Sequence, residues 1–506
     1  MDISQLSKKQ LIGQMLCFAF LGTEYDDQLT TFIHEFELGG VIFFARNIKS
    51  IKQVATLNKR LQQESSIPLF IGLDQEGGMV QRIMQGITPL PGAMALAAAD
   101  QNRIYDITKV VGQNLKCLGF NLNFAPVGDI NNNLNNPVIN SRSYGDDPKN
   151  VARMATQAFK GFQDSGILST IKHFPGHGNT NVDSHIGLPR VTSSKDDVRK
   201  MELIPFKEAI DQGIDGVMIS HIVYEAFDQT YPATLSKAII TDLLKKECNF
   251  QGLIVTDSLT MGAIHNSFDL DTVLENGVNA GNDLLIFCGK ADLNEQRMIF
   301  DRFLQLVDSG KISLARVQES VSKILRLKEK YATLSFNPDA IKLDLPLAKS
   351  LYERAVTKVY NQGWLPLKQS DKVLILFPEI KLASLVDNEN EKYLSLKTFF
   401  DKPEIIYNFA LNNLSMIVKE TNKYEKIILC TYNVVPNDFQ TKLFMALDKA
   451  KTLVIALRSP YDCVHLQGIK HYVCLYELTP KSLEACALAL QGAIPFNTKV
   501  PVKLMR

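Results

Sequence analysis

The sequence predicts a (β/α)8 TIM-like barrel followed by a smaller α/β domain with a mainly parallel sheet. Three observations predict it. Short, continuously apolar runs recur about eight times over some 300 residues, as in a sheet buried on both faces. Segments with apolar residues three and four apart lie between them, which is helical spacing. The polar segments able to carry chemistry follow the same ends of the apolar runs, as they do at a barrel mouth.

In chain order the strand candidates are Cys17–Leu21, Gly40–Phe44, Leu69–Leu73, Asn121–Pro126, Leu168–Ile171, Gly216–Ser220, Gly252–Thr256 and Asp283–Phe287. Helical segments between them include Ile51–Gln63, Ile104–Leu118, Val151–Gln163, Ile204–Gln212 and Lys237–Lys246. Leu314–Tyr331 reads as a last amphipathic helix and Ser335–Pro346 as the core of a linker. The expected division is therefore a barrel over 1–334, a linker over 335–350 and a second domain over 351–506. In that domain Val373–Phe377, Lys426–Cys430, Leu453–Leu457 and Val473–Tyr476 are strand-like. It carries no comparable cluster of titratable residues, so a supporting role is expected.

Composition narrows the class. The chain has 506 residues, 45 % hydrophobic and 22 % charged, with a net charge of +1, as in an ordinary globular protein. A near-neutral balance implies neither nucleic acid nor an anionic membrane as partner. No basic-then-apolar leader and no transmembrane run is read in the sequence, and the eight scattered cysteines include no Cys-x-x-Cys pair. A cytoplasmic protein with free thiols is the expectation.

The chemistry concentrates in Lys172-His173-Phe174-Pro175-Gly176-His177-Gly178 and the adjoining Asp183-Ser184-His185. Three of the chain's eight histidines fall in this stretch, and its Pro and Gly residues exclude a helix. Asp183 stands close enough to orient the His185 imidazole and raise its basicity, which is the chemistry of a proton shuttle. Asp257, at the carboxyl end of Gly252–Thr256, is a catalytic candidate, with a helix N-cap as the structural alternative. Asp74 can grip neighbouring hydroxyls, while Arg82 can serve the same site or pair with Glu76. Arg142, at the end of a long Asn-rich loop, is either a site residue or a solvated surface arginine. Zinc on His173, His177, His185 and Asp183 fits none of the helical metalloprotease spacings, so no metal is expected. Pro175–Gly178 lacks the Lys-Ser/Thr ending of a phosphate loop.

Six ordered motifs carry a resemblance. They are Asp74-Gln75-Glu76-Gly77-Gly78-x-Val80-x-Arg82, Asn123-Phe124-Ala125-Pro126-Val127, Ser141-Arg142-Ser143-Tyr144-Gly145, the Lys172–Gly178 run, Asp183-Ser184-His185 and Thr256-Asp257-Ser258-Leu259-x-Met261. Together they resemble glycoside hydrolase family 3, and the Asp-Ser-His element its bacterial β-N-acetylglucosaminidase branch. That resemblance implies Asp257 as nucleophile, His185 as acid/base and Asp183 as its dyad partner. It assigns Asp74, Arg82, Arg142, Lys172 and His173 to binding the terminal N-acetylglucosamine, with no cofactor. Asn179 and Ser258 stand where many relatives have Asp, which bears on fine specificity. The second domain is similar to the C-terminal domain of longer members.

The implied reaction is a retaining double displacement, in which an imidazole donates and later accepts the proton near neutrality. The implied substrate is a small carbohydrate, an N-acetylglucosaminyl muropeptide from cell-wall recycling, handled by a monomer. Two alternatives stay open: an N-acetylglucosaminide phosphorylase on the same fold, and an inactive sugar-binding protein.

Overall fold

The computed structural model describes residues 3–504 except 290, 333, 369, 381–393 and 409–413. Eight parallel strands form its first sheet: β1 (Leu16–Ala19), β2 (Gly40–Phe43), β3 (Phe70–Leu73), β4 (Leu122–Asn123), β5 (Leu168–Phe174), β6 (Gly216–Ile219), β7 (Leu253–Thr256) and β8 (Leu285–Phe287). They pair in the order β7-β6-β5-β4-β3-β2-β1-β8. The Val255–Leu284 bridge then brings β7 to β8 and closes the barrel. All eight expected strands are present, and every residue in them is buried, which explains why their sequences do not alternate.

The fourth strand is much shorter than the expected Asn121–Pro126. The Asn121 side chain, not a backbone carbonyl, accepts the Ile71 N–H (2.7 Å), and Pro126 has no N–H to give. The fifth is longer than expected, running through Lys172 and His173 to Phe174. Helices between the strands start where capping residues occur: Ser50 caps Ile51–Glu64, and Asp147 caps Pro148–Asp164 with proline in its first turn.

The second sheet contains β9 (Thr357–Asn361), β10 (Val373–Pro378), β11 (Glu404–Tyr407), β12 (Lys426–Thr431), β13 (Thr452–Ala456) and β14 (His471–Cys474). Its order is β9-β14-β13-β12-β10-β11, and only β9 runs antiparallel, against β14. The edge strands β9 and β11 escaped the sequence reading because both are only partly buried and carry Lys, Asn or Glu. The helix Leu345–Ala355 begins inside the stretch read as a linker and packs on both Ala93–Ala99 and Pro480–Leu490.

The second domain sits against loops of the barrel mouth. Met79 packs on the second domain's core, and Glu477 Oε2 accepts the Gly92 N–H at 2.6 Å. Asn131 donates to Tyr461 Oη (3.2 Å) and Asn140 to Ser459 Oγ (3.2 Å).

The closing seam of the barrel depends on Asp283, whose side chain is fully buried. It accepts from Ile254 N (3.0 Å), Lys323 Nζ (2.6 Å), Ser320 Oγ (2.8 Å) and Arg316 Nη2 (3.2 Å). Burial pushes this carboxyl up, but Lys323, Arg316 and Lys245 outweigh it and hold it below the usual carboxylate range. Asp283→Asn leaves Lys323 without its countercharge and Arg316 with only the exposed Glu319, and should cost about 3–5 kcal/mol in urea unfolding at neutral pH. Because the folded-state value is depressed, the contribution of Asp283 is present above the ordinary Asp range. It is lost as pH falls through the depressed value, so the wild-type advantage over Asp283→Asn should shrink in acid.

Candidate active site

At the carboxyl ends of the strands lies a cavity of about 290 Å³. Asp74, Arg82, Arg142, Lys172, His173, His185 and Asp257 all line it. Asp183 stands behind His185. The candidate residues, spread over nearly two hundred positions, thus converge on one mouth.

One wall is a network of buried charge. Lys172 Nζ lies 2.8 Å from Asp74 Oδ1 and 2.6 Å from Glu76 Oε1. Arg82 Nη2 reaches Asp74 Oδ2 at 3.1 Å, and Arg142 grips Glu76 through Nε (2.9 Å) and Nη2 (2.7 Å). Arg82 therefore pairs with Asp74, not with Glu76. Arg142 is no surface arginine, since its side chain is only 6 % exposed. Burial pushes the Asp74 and Glu76 carboxyls up, but the cations reverse this: Lys172 and Arg82 for Asp74, Arg142 and Lys172 for Glu76. Lys172 is likewise raised by its two carboxylates against the effect of burial. All three stay charged, and hydroxyl groups entering the cavity meet strong donors and acceptors.

Lys172 and His173 are consecutive on β5, where side chains of a regular strand point to opposite faces. Both nevertheless line the cavity, at the place where the β5–β6 register shifts between Ile171 and Phe174. His173 Nδ1 contacts Asp129 Oδ2 at 2.6 Å. Asp129 also accepts the backbone N–H groups of His173 (3.1 Å) and His177 (2.7 Å). Its carboxyl is raised by burial but lowered further by His173 and His177, so it is ionised and His173 Nδ1 carries the proton.

The loop carrying Asp183 and His185 is tied down from below. Burial, with help from His173, lowers the His177 imidazole to about 4, so it is neutral at pH 7. It bridges Thr180 Oγ1 (2.9 Å) and Ser184 Oγ (3.0 Å). Two glycines allow close approach here. A Cβ on Gly178 would lie 1.5 Å from the Ile130 carbonyl oxygen, and one on Gly262 would lie 2.6 Å from that of His185. Gly262 N and Ala263 N donate to the His185 and Ser184 carbonyls (3.2 and 3.1 Å). The loop is thereby docked over the cavity.

Within it, His185 Nδ1 lies 2.7 Å from Asp183 Oδ1, which also accepts the His185 N–H at 2.9 Å. Burial raises the Asp183 carboxyl, but its hydrogen bonds from His185 bring it below the usual range. An ionised Asp183 accepts a hydrogen bond from Nδ1–H and leaves Nε2 as the exchangeable nitrogen.

Asp257 directly follows β7 and receives the Ser258 N–H at 2.7 Å. It is not a helix cap: the next helix, Gly262–His265, starts from Met261 with no side-chain cap. Burial raises its carboxyl, yet His221, His173, His185 and the Ser258 N–H together bring it down to about 2. It is therefore anionic throughout the neutral range. His221, one residue past the Gly216–Ser220 run, holds this segment by contacting Ser258 O (2.9 Å) and Thr234 Oγ1 (2.7 Å).

Glu76, Asp129, His177 and His221 complete the site without having been singled out for it in the sequence. Asp129 and His221 did carry a signal, a polar residue just past an apolar run, but nothing local distinguishes them from capping residues. Among the described residues no three His, Cys, Asp or Glu side chains gather in metal-binding geometry. Asn179 donates to Ser193 Oγ (3.3 Å) and does not line the cavity, whereas Ser258 does.

A barrel mouth so dense in hydrogen-bonding charge, around one free-standing carboxylate, defines an enzyme that handles polyhydroxylated small molecules. The family model of the glycosyl hydrolase family 3 N terminal domain matches residues 6–327. The chain belongs to glycoside hydrolase family 3 and is a glycoside hydrolase. It is 36 % identical to the Beta-hexosaminidase A of Pseudoalteromonas piscicida, over 87 % of this chain and 83 % of that one. It is 33 % identical to the Beta-hexosaminidase of Nitrosomonas eutropha, over 58 % of this chain and 86 % of the relative. Its structure is similar to that of a glycoside hydrolase family 3 β-N-acetylglucosaminidase from Paenibacillus sp. str. FPU-7 (TM-score 0.91, 35 % identity, 99 % of both chains).

Asp129→Asn replaces the acceptor facing His173 Nδ1 by an amide donor and inverts the tautomer that His173 presents to the cavity. Loss of a charged hydrogen bond of about 1.5–3 kcal/mol corresponds to a fall in kcat/KM of roughly ten- to a hundredfold. Steady-state kinetics on a chromogenic glycoside, with Tm measured alongside, checks this; an unchanged kcat/KM would remove Asp129 from the site.

Proposed function

We propose that the protein is a retaining exo-β-N-acetylglucosaminidase. It removes terminal β-N-acetylglucosamine from peptidoglycan-derived muropeptides, working as a monomer in the cytoplasm. The observation that carries this reading is that His185, held through Nδ1 by Asp183, lines the same cavity as the ionised Asp257. The names of the relatives, β-hexosaminidase and β-N-acetylglucosaminidase, support the sugar specificity. A cavity of about 290 Å³ is at the small end of ligand pockets, suited to one terminal sugar ring.

In this mechanism Asp257 attacks the anomeric carbon while His185 Nε2 gives its proton to the leaving glycosidic oxygen. Asp183 stabilises the imidazolium and keeps the Nδ1 proton in place. Water then enters, His185 takes its proton, and the Asp257–sugar ester is cleaved with overall retention. Asp74, Arg82, Arg142, Lys172 and His173 hold the sugar hydroxyls and acetamido group. Because the cations already pair with Asp74 and Glu76, these side chains are set before the sugar arrives and pay little to be ordered.

His185→Ala should slow cleavage of an unactivated N-acetylglucosaminyl disaccharide by about 10²–10⁴-fold. The first step on a p-nitrophenyl glycoside, whose leaving group needs no proton, should suffer far less. Wild-type rates on the disaccharide would exclude His185 as the acid. Asp257→Ala should abolish the covalent adduct formed with a 2-fluoro-sugar inactivator, read by intact mass; full labelling of the variant would exclude Asp257 as nucleophile. Product analysis with and without phosphate separates hydrolysis from phosphorolysis, and free N-acetylglucosamine is expected in both arms.

A further inference from the structure

The hairpin that carries Glu76 reaches from the barrel wall into the second domain. Its strands, Gln75–Gly77 and Val80–Gln81, are joined through Gly78 and Met79. At its base Glu76 grips Arg142 and Lys172. At its tip Met79 packs on the second domain's core, and Gly78 lies against Glu477. Glu76 and Met79 are separated only by two glycines, so a displacement of the tip is passed to the Glu76 carboxylate.

Glu477 stands where this hairpin meets residues 90–92 of the barrel. A Cβ on Gly78 would lie 3.0 Å from Glu477 Oε2, and one on Gly92 would lie 3.1 Å from it. The same oxygen accepts the Gly92 N–H at 2.6 Å, while Gly78 N donates to Leu90 O at 2.8 Å. Gly78 has a φ of +58°, so the turn and the close approach both demand glycine there. On its own domain Glu477 is tied to the start of the helix Pro480–Leu490. Thr479 Oγ1 donates to its Oε1 (2.8 Å) and Ser482 Oγ to its carbonyl (2.8 Å).

Neither the burial of this carboxyl nor its backbone setting favours the fold. Glu477 is 2 % exposed, and no cation pairs with it among the described residues. Burial pushes it up to about 7, against the Gly92 N–H and the Thr479 hydroxyl. The residue before it, Tyr476, holds a φ of +67°, which is unfavourable for a bulky side chain. Apolar side chains would fill the same interface with a smaller penalty. Departures of this kind from local rules gather where a position has a task.

We propose that Glu477 is a positioning residue through which the second domain sets the sugar-binding wall. Its carboxyl, seated on Gly78 and Gly92, holds the hairpin so that Glu76 keeps Arg142 and Lys172 in place. The proposal rests on the reading of Arg142 and Lys172 as sugar-binding groups. It gives the second domain a part in affinity for the terminal sugar, although the cavity that receives the sugar is lined by barrel residues.

The test reads KM and kcat separately on p-nitrophenyl N-acetyl-β-glucosaminide, with Tm measured alongside. Glu477→Ala should raise KM about tenfold, the scale of one hydrogen bond to a charged group. Its kcat should change by less than about threefold, because binding is lost while the reacting groups are untouched. Glu477→Asp keeps the acid but withdraws it by one methylene, and should raise KM in the same direction even if the alanine variant does not fold. Glu477→Gln keeps the reach, its carbonyl oxygen accepting from Gly92 and its amide donating to Thr479. It should restore KM to within about twofold of wild type. Leu396→Ala opens the second domain's core near the other end of the helix Pro480–Leu490, where Gln491 reaches Phe399; it should lower Tm and leave KM unchanged. An unchanged KM in the truncations, Glu477→Gln no better than Glu477→Ala, or an equal rise in Leu396→Ala overturns the proposal. A wild-type KM in Arg142→Ala would instead overturn the reading of the wall, and failure of wild-type enzyme to release p-nitrophenol the glycosidase reading.

Discussion

The mouth of this barrel is organised by a requirement of electrostatics: charges removed from water must be paired. Asp74 and Glu76 are almost out of solvent, and Lys172, Arg82 and Arg142 answer them through five contacts of 2.6–3.1 Å. They come from separate parts of the chain: Asp74 from the end of β3, Glu76 and Arg82 from the stretch just after it, Arg142 from the long loop after β4, and Lys172 from β5. Losing any one partner leaves an uncompensated charge in a low-dielectric wall. The network thus specifies how these loops meet, and it leaves a polar surface of fixed donors and acceptors at the mouth.

A second layer connects that wall to the proposed acid/base. Asp129 holds His173 and the His177 backbone, the neutral His177 ring holds Ser184, and Ser184 is the neighbour of both members of the dyad. His177 is buried and depressed in basicity, so it serves as a fixed hydrogen-bonding strut and not as a titrating group. Asp257, by contrast, faces the cavity with its charge stabilised by three imidazoles and one backbone N–H. Environment divides the labour among chemically identical side chains here.

The second domain meets the barrel at the mouth. Met79, three residues past Glu76, packs on its core, and Tyr461 and Ser459 hold asparagines of the loop that ends in Arg142. Contacts at this place steady the loops around the cavity.

The barrel was legible in the sequence because burial on both faces demands continuous apolar runs, and a buried strand has no other way to be written. That Asp257, the Asp183–His185 pair and the Lys172–His173 segment converge was legible for a related reason: Asp257 and Lys172–His173 sit at the ends of such runs, and the Asp183–His185 loop follows one of them, at the end where a barrel opens its mouth. Edge strands β9 and β11 were not, since half-exposed strands carry no distinctive pattern. Nor was the choice of partners. Spacing alone allowed Arg82 to pair with Glu76 and left Arg142 at the surface, while the structure pairs Arg82 with Asp74 and buries Arg142 against Glu76. Local order along the chain decides which elements form. Which charges meet depends on loops brought together from distant positions, and only the closed barrel with its second domain decides that.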